Sequence, residues 1–194
     1  MRQYLSRYKG KRCFPLEHLM PVDNLNDTDF WITLNDDIKK FGDGWEVIEN
    51  VCGGSASIIP DSAIGLYFFV WMPEVEFNTS KGRFEFGNVV YIGSSSTKNN
   101  GIKKRFISDY QSLIGNHYDV HWTTKTLDDR DKRLKKVLSL GRLHYLFNVM
   151  DGATERQILD MEERMIKLFN PPGNTQYAIL RATLDKINER PAFN

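Results

Sequence analysis

The stretch Asn88 to Phe106, NVVYIGSSSTKNNGIKKRF, decides how the rest of the chain is read. Valine and tyrosine favour a pleated, half-buried surface, so Val89-Val90-Tyr91-Ile92 reads as a short buried strand. Gly93 ends that run where the backbone needs freedom. Ser94-Ser95-Ser96-Thr97 and Asn99-Asn100-Gly101 are turn chemistry, and a basic helix start follows at Ile102-Lys103-Lys104-Arg105-Phe106. No acid occurs from Phe86 to Ser108, and Lys98, Lys103, Lys104 and Arg105 fall within that window. It is a candidate edge for phosphate binding. By itself the stretch is an ordinary strand-loop-helix connection, and its meaning depends on what the chain brings to it.

On its N-terminal side, Ile64 to Met72, IGLYFFVWM, is the strongest strand, apolar on both faces and ended by Pro73. A hairpin follows, with strands Val75–Asn78 and Arg83–Phe86 about a Ser80-Lys81-Gly82 turn, and Gly87 breaks it. Further upstream, Trp45–Val51 is a candidate strand. A helix starts at Asp27 or Thr28, buries Phe30, Trp31, Leu34, Ile38 and Phe41, and stops at Gly42. Cys52-Gly-Gly-Ser-Ala-Ser resembles part of a phosphate-binding loop, but no Gly-Lys-Ser/Thr follows, which excludes nucleotide binding there.

On the C-terminal side, Phe106, Tyr110 and Leu113 form a buried stripe on a helix that Gly115 ends. Tyr118–Thr123 is ambiguous. Asp128–Leu140 reads as a helix with acids first and bases last, as its dipole prefers. Arg142–Met150 is a strand, Thr154–Phe169 a helix ended by Pro171-Pro172-Gly173, and Tyr177–Ile187 a final amphipathic helix.

At 194 residues, with 41% apolar, 26% charged and 12% aromatic residues, the chain suits a globular protein with a full core rather than a disordered or fibrous one. No apolar run approaches the ~20 residues of a membrane span, and no secretory segment opens the sequence. Cys13 and Cys52 lack metal spacing and read as free thiols, so a cytoplasmic location is expected. His117 and His121 have no third ligand close by and do not form a metal site. Charge is segregated. Residues 1–16 carry five bases and no acid, residues 17–76 twelve acids against two lysines, and residues 77–194 nineteen bases against thirteen acids. An acidic portion and a basic surface on one molecule follow.

One residue breaks the pattern of the 154–169 helix. Ile158, Met161, Met165 and Leu168 make one apolar row, and Leu159, Ile166 and Phe169 an adjacent row in which position 162 is Glu162. Its neighbour Glu163 shares a face with Lys167 at i+4 and is a surface residue. Glu162 faces the core edge, where a carboxylate needs an ion-pair partner, a metal or a chemical task.

Taken together, these elements resemble the GIY-YIG endonuclease superfamily. Gly65-Leu66-Tyr67 looks like the first signature tripeptide, and Tyr91-Ile92-Gly93 matches the second. Arg105, followed by Phe106, stands where the family carries its arginine. Glu162, four residues before Ile166, matches the E-x-x-x-I segment, and Ile166-Lys167 through Pro171 to Asn174 resembles the closing I-K…P…N. The matches run from about residue 65 to 174 in order. Twenty-three residues separate Tyr67 from Tyr91, about twice the family's interval, and the 75–86 hairpin would absorb them. Ser94 stands where many members have lysine. Asp109, or Tyr110 beside it, stands where most have histidine or tyrosine.

The resemblance implies an α+β fold: a small central antiparallel sheet of about three strands flanked by helices, with an N-terminal extension. The parts would be an extension over 1–60, a nuclease domain over 61–175 with a hairpin insertion at 75–86, and a C-terminal helix over 176–194. It further implies a divalent-metal-dependent endodeoxyribonuclease acting on double-stranded DNA, with one Mg²⁺ or Mn²⁺ held by Glu162. Arg105 would hold a phosphate oxygen and Tyr67 or Tyr91 would position or deprotonate the attacking water, with Lys104 a further candidate for the proton. Asn174 would fix the site by hydrogen bonds, and Gly65 and Gly93 would let backbones pass closely. Lys98, Lys103 and Lys104 would contact DNA. A restriction-type enzyme is the first expectation, with the N-terminal residues and the hairpin supplying sequence recognition or a homodimer contact. The alternatives are a repair or mobile-element (homing-type) nuclease and a catalytically inactive DNA-binding module.

Overall fold

The apolar run between Ile64 and Met72 becomes the middle of the molecule because both of its edges and both of its faces are covered. The computed structural model of the chain describes residues 12–13, 18–73, 75–115, 130–176 and 190–191. In these, the strands are β1 (Arg12–Cys13), β2 (Trp45–Ile48), β3 (Gly65–Trp71), β4 (Glu76–Thr79), β5 (Gly82–Glu85), β6 (Asn88–Ser95), β7 (Leu143–Val149) and β8 (Arg190–Pro191). The helices are α1 (Val22–Asn26), α2 (Thr28–Phe41), α3 (Ile102–Arg105), α4 (Arg130–Leu138) and α5 (Glu155–Phe169).

The main sheet is antiparallel in the order β2-β7-β3-β6. It therefore has four strands, not the expected three. The extra one is β2, whose Val47 is exposed at the sheet edge and whose strand partner among the described residues is β7, far along the chain. A partner at that separation is invisible to local periodicity. The predicted hairpin forms as β4 and β5, a separate two-stranded ribbon with Phe77 opposite Phe84. β1 and β8 pair over two residues. The remainder of the basic arm, the 118–123 segment, both excluded histidines and the Tyr177–Ile187 helix lie outside the described residues.

The sheet has helices on both sides. One core joins Tyr67, Phe69, Tyr91, Phe106, Tyr110, Tyr145, Leu134 and Val137; the other joins Leu66, Ile92, Leu34, Ile158, Met161 and Met165. Alternation along β3 divides its side chains between the two. α2 is capped by Asp27, whose side chain accepts from the Phe30 N–H at 3.0 Å. α5 begins with a reciprocal Thr154–Gln157 cap and ends at Asn170, in the left-handed conformation, just before Pro171. Its apolar row Ile158, Met161, Met165 and Leu168 is buried, whereas Leu159 in the second row is exposed.

α3 is shorter than its stripe suggests and runs into a π-turn over Phe106–Tyr110. The wider turn offsets the drift that residues four apart accumulate at 3.6 per turn, so Ile102, Phe106 and Tyr110 all stay buried. Among the described residues, no helix is long and apolar enough to cross a membrane.

Candidate active site

β6 lies at an edge of the main sheet, and that position makes the site. Its outward backbone groups would otherwise be orphaned. The segment after α5 covers them: the Gly173 N–H donates to the Val90 carbonyl at 2.8 Å. The Asn174 amide accepts from the Ile92 N–H at 2.9 Å and donates to the Ile92 carbonyl at 2.8 Å. Beyond this plug the edge opens into a polar cavity of about 270 Å³. Tyr67, Tyr91, Arg105 and Glu162 all line it, joined by Ser94, Thr97, Asn100 and Arg130.

Because the cavity wraps a strand edge, it collects side chains from both layers. α3 and α4 supply Arg105 and Arg130, and α5 supplies Glu162. The fifth expected site residue, Asn174, does not line the cavity; it is buried and braces β6 on either side of Tyr91's neighbour Ile92.

Two sequence expectations are corrected at this strand. Gly93 does not turn the chain, and Ser94 and Ser95 are not loop: β6 continues to Ser95. Gly93 is directly opposite Tyr67, and a Cβ there would come within 2.7 Å of the Tyr67 ring, so the glycine makes room for a tyrosine rather than for a bend. Gly65 does allow a close backbone approach. It has φ +145°, and a Cβ on it would overlap the Asn148 carbonyl oxygen of β7.

The tyrosines form an ordered chain. The Tyr67 and Tyr110 hydroxyls are 2.8 Å apart, and Tyr110 O–H donates to the Tyr91 oxygen at 3.2 Å. Each phenol has one proton. Tyr110 spends its proton on Tyr91, so Tyr67 must donate to Tyr110. Arg130 Nη2 donates to the Tyr91 oxygen at 3.1 Å and to the Tyr110 oxygen at 3.2 Å. Tyr91 thus accepts twice and keeps its own proton for the cavity. Burial pushes the Tyr67 and Tyr110 phenols well above their usual range, so neither is a ready base.

Glu162 accepts a hydrogen bond from Ser94 Oγ at 2.6 Å. Burial raises its pKa, while the Ser94 hydrogen bond and the charges of Arg105 and Arg130 pull the other way. Arg105 Nη1 donates to Asp109 Oδ2 at 3.2 Å, and its buried Nε has no hydrogen-bond partner among the described residues. Of the two residues expected to complete the site, Asp109 pairs with Arg105, and Tyr110 links Tyr67 and Tyr91. Glu163 is ion-paired with Lys167 at 2.6 Å, the surface role read for it.

The lysines behave differently. Lys103 pairs with Asp61 at 2.8 Å, Lys104 donates to the Asn99 carbonyl at 3.1 Å, and Lys98 is exposed on a turn beside Thr97 and Asn100. None of the three lines the cavity.

Among the described residues no cluster of three or more His, Cys, Asp or Glu could hold a metal. A hard cation that takes one carboxylate and completes its shell with water and phosphate oxygens does fit Glu162 and the hydroxyls beside it.

Sequence reasoning missed Arg130, whose only local signal is a basic residue at the start of a helix, where the dipole disfavours it. Its partners lie on two other elements, Tyr91 on β6 and Tyr110 and Asp109 on the π-turn after α3. In comparisons with models of protein families, with curated proteins and with solved structures, the chain matches none.

Proposed function

We propose that this chain is a divalent-metal-dependent DNA endonuclease of the GIY-YIG type, hydrolysing phosphodiester bonds as a restriction-type enzyme in the cytoplasm. The observation that carries the reading is the convergence of Tyr67, Tyr91, Arg105 and Glu162, spread over ninety-six residues of sequence, on one polar cavity at a sheet edge. Structural roles alone do not call for two arginines, a half-buried carboxylate and a free phenolic proton in one place.

The residues divide the work as follows. Arg105, already oriented by Asp109, offers its remaining N–H groups to a non-bridging phosphate oxygen and offsets the charge that builds in the transition state. Tyr91 directs its free hydroxyl at the attacking water. Tyr67 and Tyr110 hold that hydroxyl in place. Water oxygen forms the new P–O bond as the bond to the departing sugar oxygen breaks. The proton that the water releases passes to solvent in the open cavity, and the leaving oxygen takes a proton from solvent. Glu162 would hold Mg²⁺ or Mn²⁺, one ion per site, which supplies Lewis-acid polarisation of the phosphate and stabilises the leaving oxygen. Since Glu162 must be ionised to do this and burial raises its pKa, cleavage should increase as pH climbs through that raised value.

The test is plasmid cleavage with Mg²⁺. Glu162→Ala is expected to lose about 10²–10³-fold in rate. Metal-dependent cleavage surviving that substitution overturns the assignment. Sequencing the ends produced from mixed DNA then separates the classes, because discrete ends mark restriction and a preference for branched substrates marks repair.

A further inference from the structure

Arg130 is the one charged group in the cavity to which the proposed chemistry gives no task. Its hydrogen bonds among the described residues all run through Nη2, and both go to neutral phenols. Its guanidinium also lies over the Tyr91 and Tyr110 rings, 5.7 and 6.0 Å from their centroids. The carboxylate it approaches, Asp109, is 3.9 Å away, beyond hydrogen-bond reach and already bonded to Arg105. A guanidinium in a cavity with no hydrogen-bonded anion has N–H groups to give, and its fork suits a phosphate.

We propose that Arg130 is a second substrate-contacting arginine: Nη2 holds the Tyr91 and Tyr110 hydroxyls while the remaining N–H groups take an oxygen of the scissile phosphodiester. Arg105 and Arg130 then grip one phosphate from two helices, and the same contact that binds substrate fixes the direction of the Tyr91 proton. That the phosphate belongs to DNA rests on the endonuclease reading above.

Two measurements test this, one of which does not need cleavage. Binding of a short fluorescent duplex is titrated without divalent ions over a range of salt for wild type, Arg130→Gln and Arg130→Lys, with melting temperature as the folding control. Arg130→Gln is expected to weaken binding about tenfold and to lower the slope of log affinity against log salt by about one, while Arg130→Lys stays close to wild type. In single-turnover cleavage with Mg²⁺, Arg130→Lys is expected to be slower by about tenfold or more despite its binding, because an ammonium cannot hold two phenols and a phosphate in the fork's geometry.

Wild-type affinity and slope in Arg130→Gln overturn the phosphate contact. A wild-type cleavage rate in Arg130→Lys overturns the positioning of Tyr91. If wild type leaves plasmid intact, the endonuclease reading falls, and the binding titration still decides whether Arg130 contacts phosphate. No binding of the duplex by wild type overturns both.

Discussion

Tyr67 and Tyr91 have the same side chain and different hydrogen-bonding positions, and the difference comes from one proton each. Both are buried and both line the cavity, but Tyr67 gives its proton to Tyr110, whereas Tyr91 receives two hydrogen bonds and keeps its own. Replacing Tyr91 by Phe should slow cleavage by about 10²-fold, in the range of a lost acid–base or positioning group. Because Tyr110 and Arg130 lose their acceptor, it should also cost about 1–2 kcal/mol of stability. Replacing Tyr67 by Phe should cost about 1 kcal/mol of stability from the lost hydrogen bond and slow the reaction less. Rates and melting curves of the two variants check this. If Tyr67→Phe proves the slower enzyme, the proton order derived for the chain is wrong. The same reasoning explains why Glu162 could be singled out early. A carboxylate in an apolar row contradicts the row, and that contradiction is readable without coordinates. Arg130 contradicts no row, so it stayed hidden until α4 was seen to meet the tyrosines.

At the scale of elements, the decisive feature is the edge of β6. Gly173 and Asn174 occupy its outward hydrogen-bonding groups at Val90 and Ile92, and they stop short of Ser94, which turns to Glu162 instead. Asn174 therefore positions the strand that carries Tyr91. Asn174→Ala leaves a buried N–H and a buried carbonyl without partners, a loss of about 1–3 kcal/mol. For a chain of this size that is a fall in melting temperature of roughly 2–12 °C. Duplex binding at a temperature where the variant is folded should be nearly unchanged, because the residue does not line the cavity. A variant that melts like wild type yet fails to bind would move Asn174 from brace to ligand. Most of β6 was legible from its valines and tyrosine. Its true end was not: Gly93 carries the local signal of a turn, and only the ring of Tyr67 across the ladder shows why the glycine sits inside a strand.

For the whole molecule, the β4–β5 ribbon forms a sheet separate from the main one and presents Phe77, Phe84 and Phe86, each about half exposed, with Phe86 in edge-to-face contact with the other two. Among the described residues, the Glu85–Arg142 pair at 3.2 Å ties it to the core. A pair of that kind is worth at most about 1 kcal/mol. Replacing residues 75–86 with a tight turn should therefore lower the melting temperature by no more than about 4 °C. On the proposed function, the shortened protein should still cut plasmid but yield scattered rather than discrete ends. Loss of the folded state on shortening would show instead that the ribbon belongs to the core.

Sequence alone determined the elements. The resemblance to the GIY-YIG superfamily pointed to Tyr67, Tyr91 and Arg105. Periodicity and caps placed α2, α5 and the strands β3, β6 and β7, and a carboxylate in an apolar row singled out Glu162. These signals are local, because each records which face of one helix or strand is buried. Tertiary structure decided the rest: β2 as the fourth strand, β6 as an edge, Asn174 as its brace, and Arg130 as the partner of the tyrosines. Strand order and the direction of a shared proton are set by groups far apart in the chain, and no run of neighbouring residues carries that information.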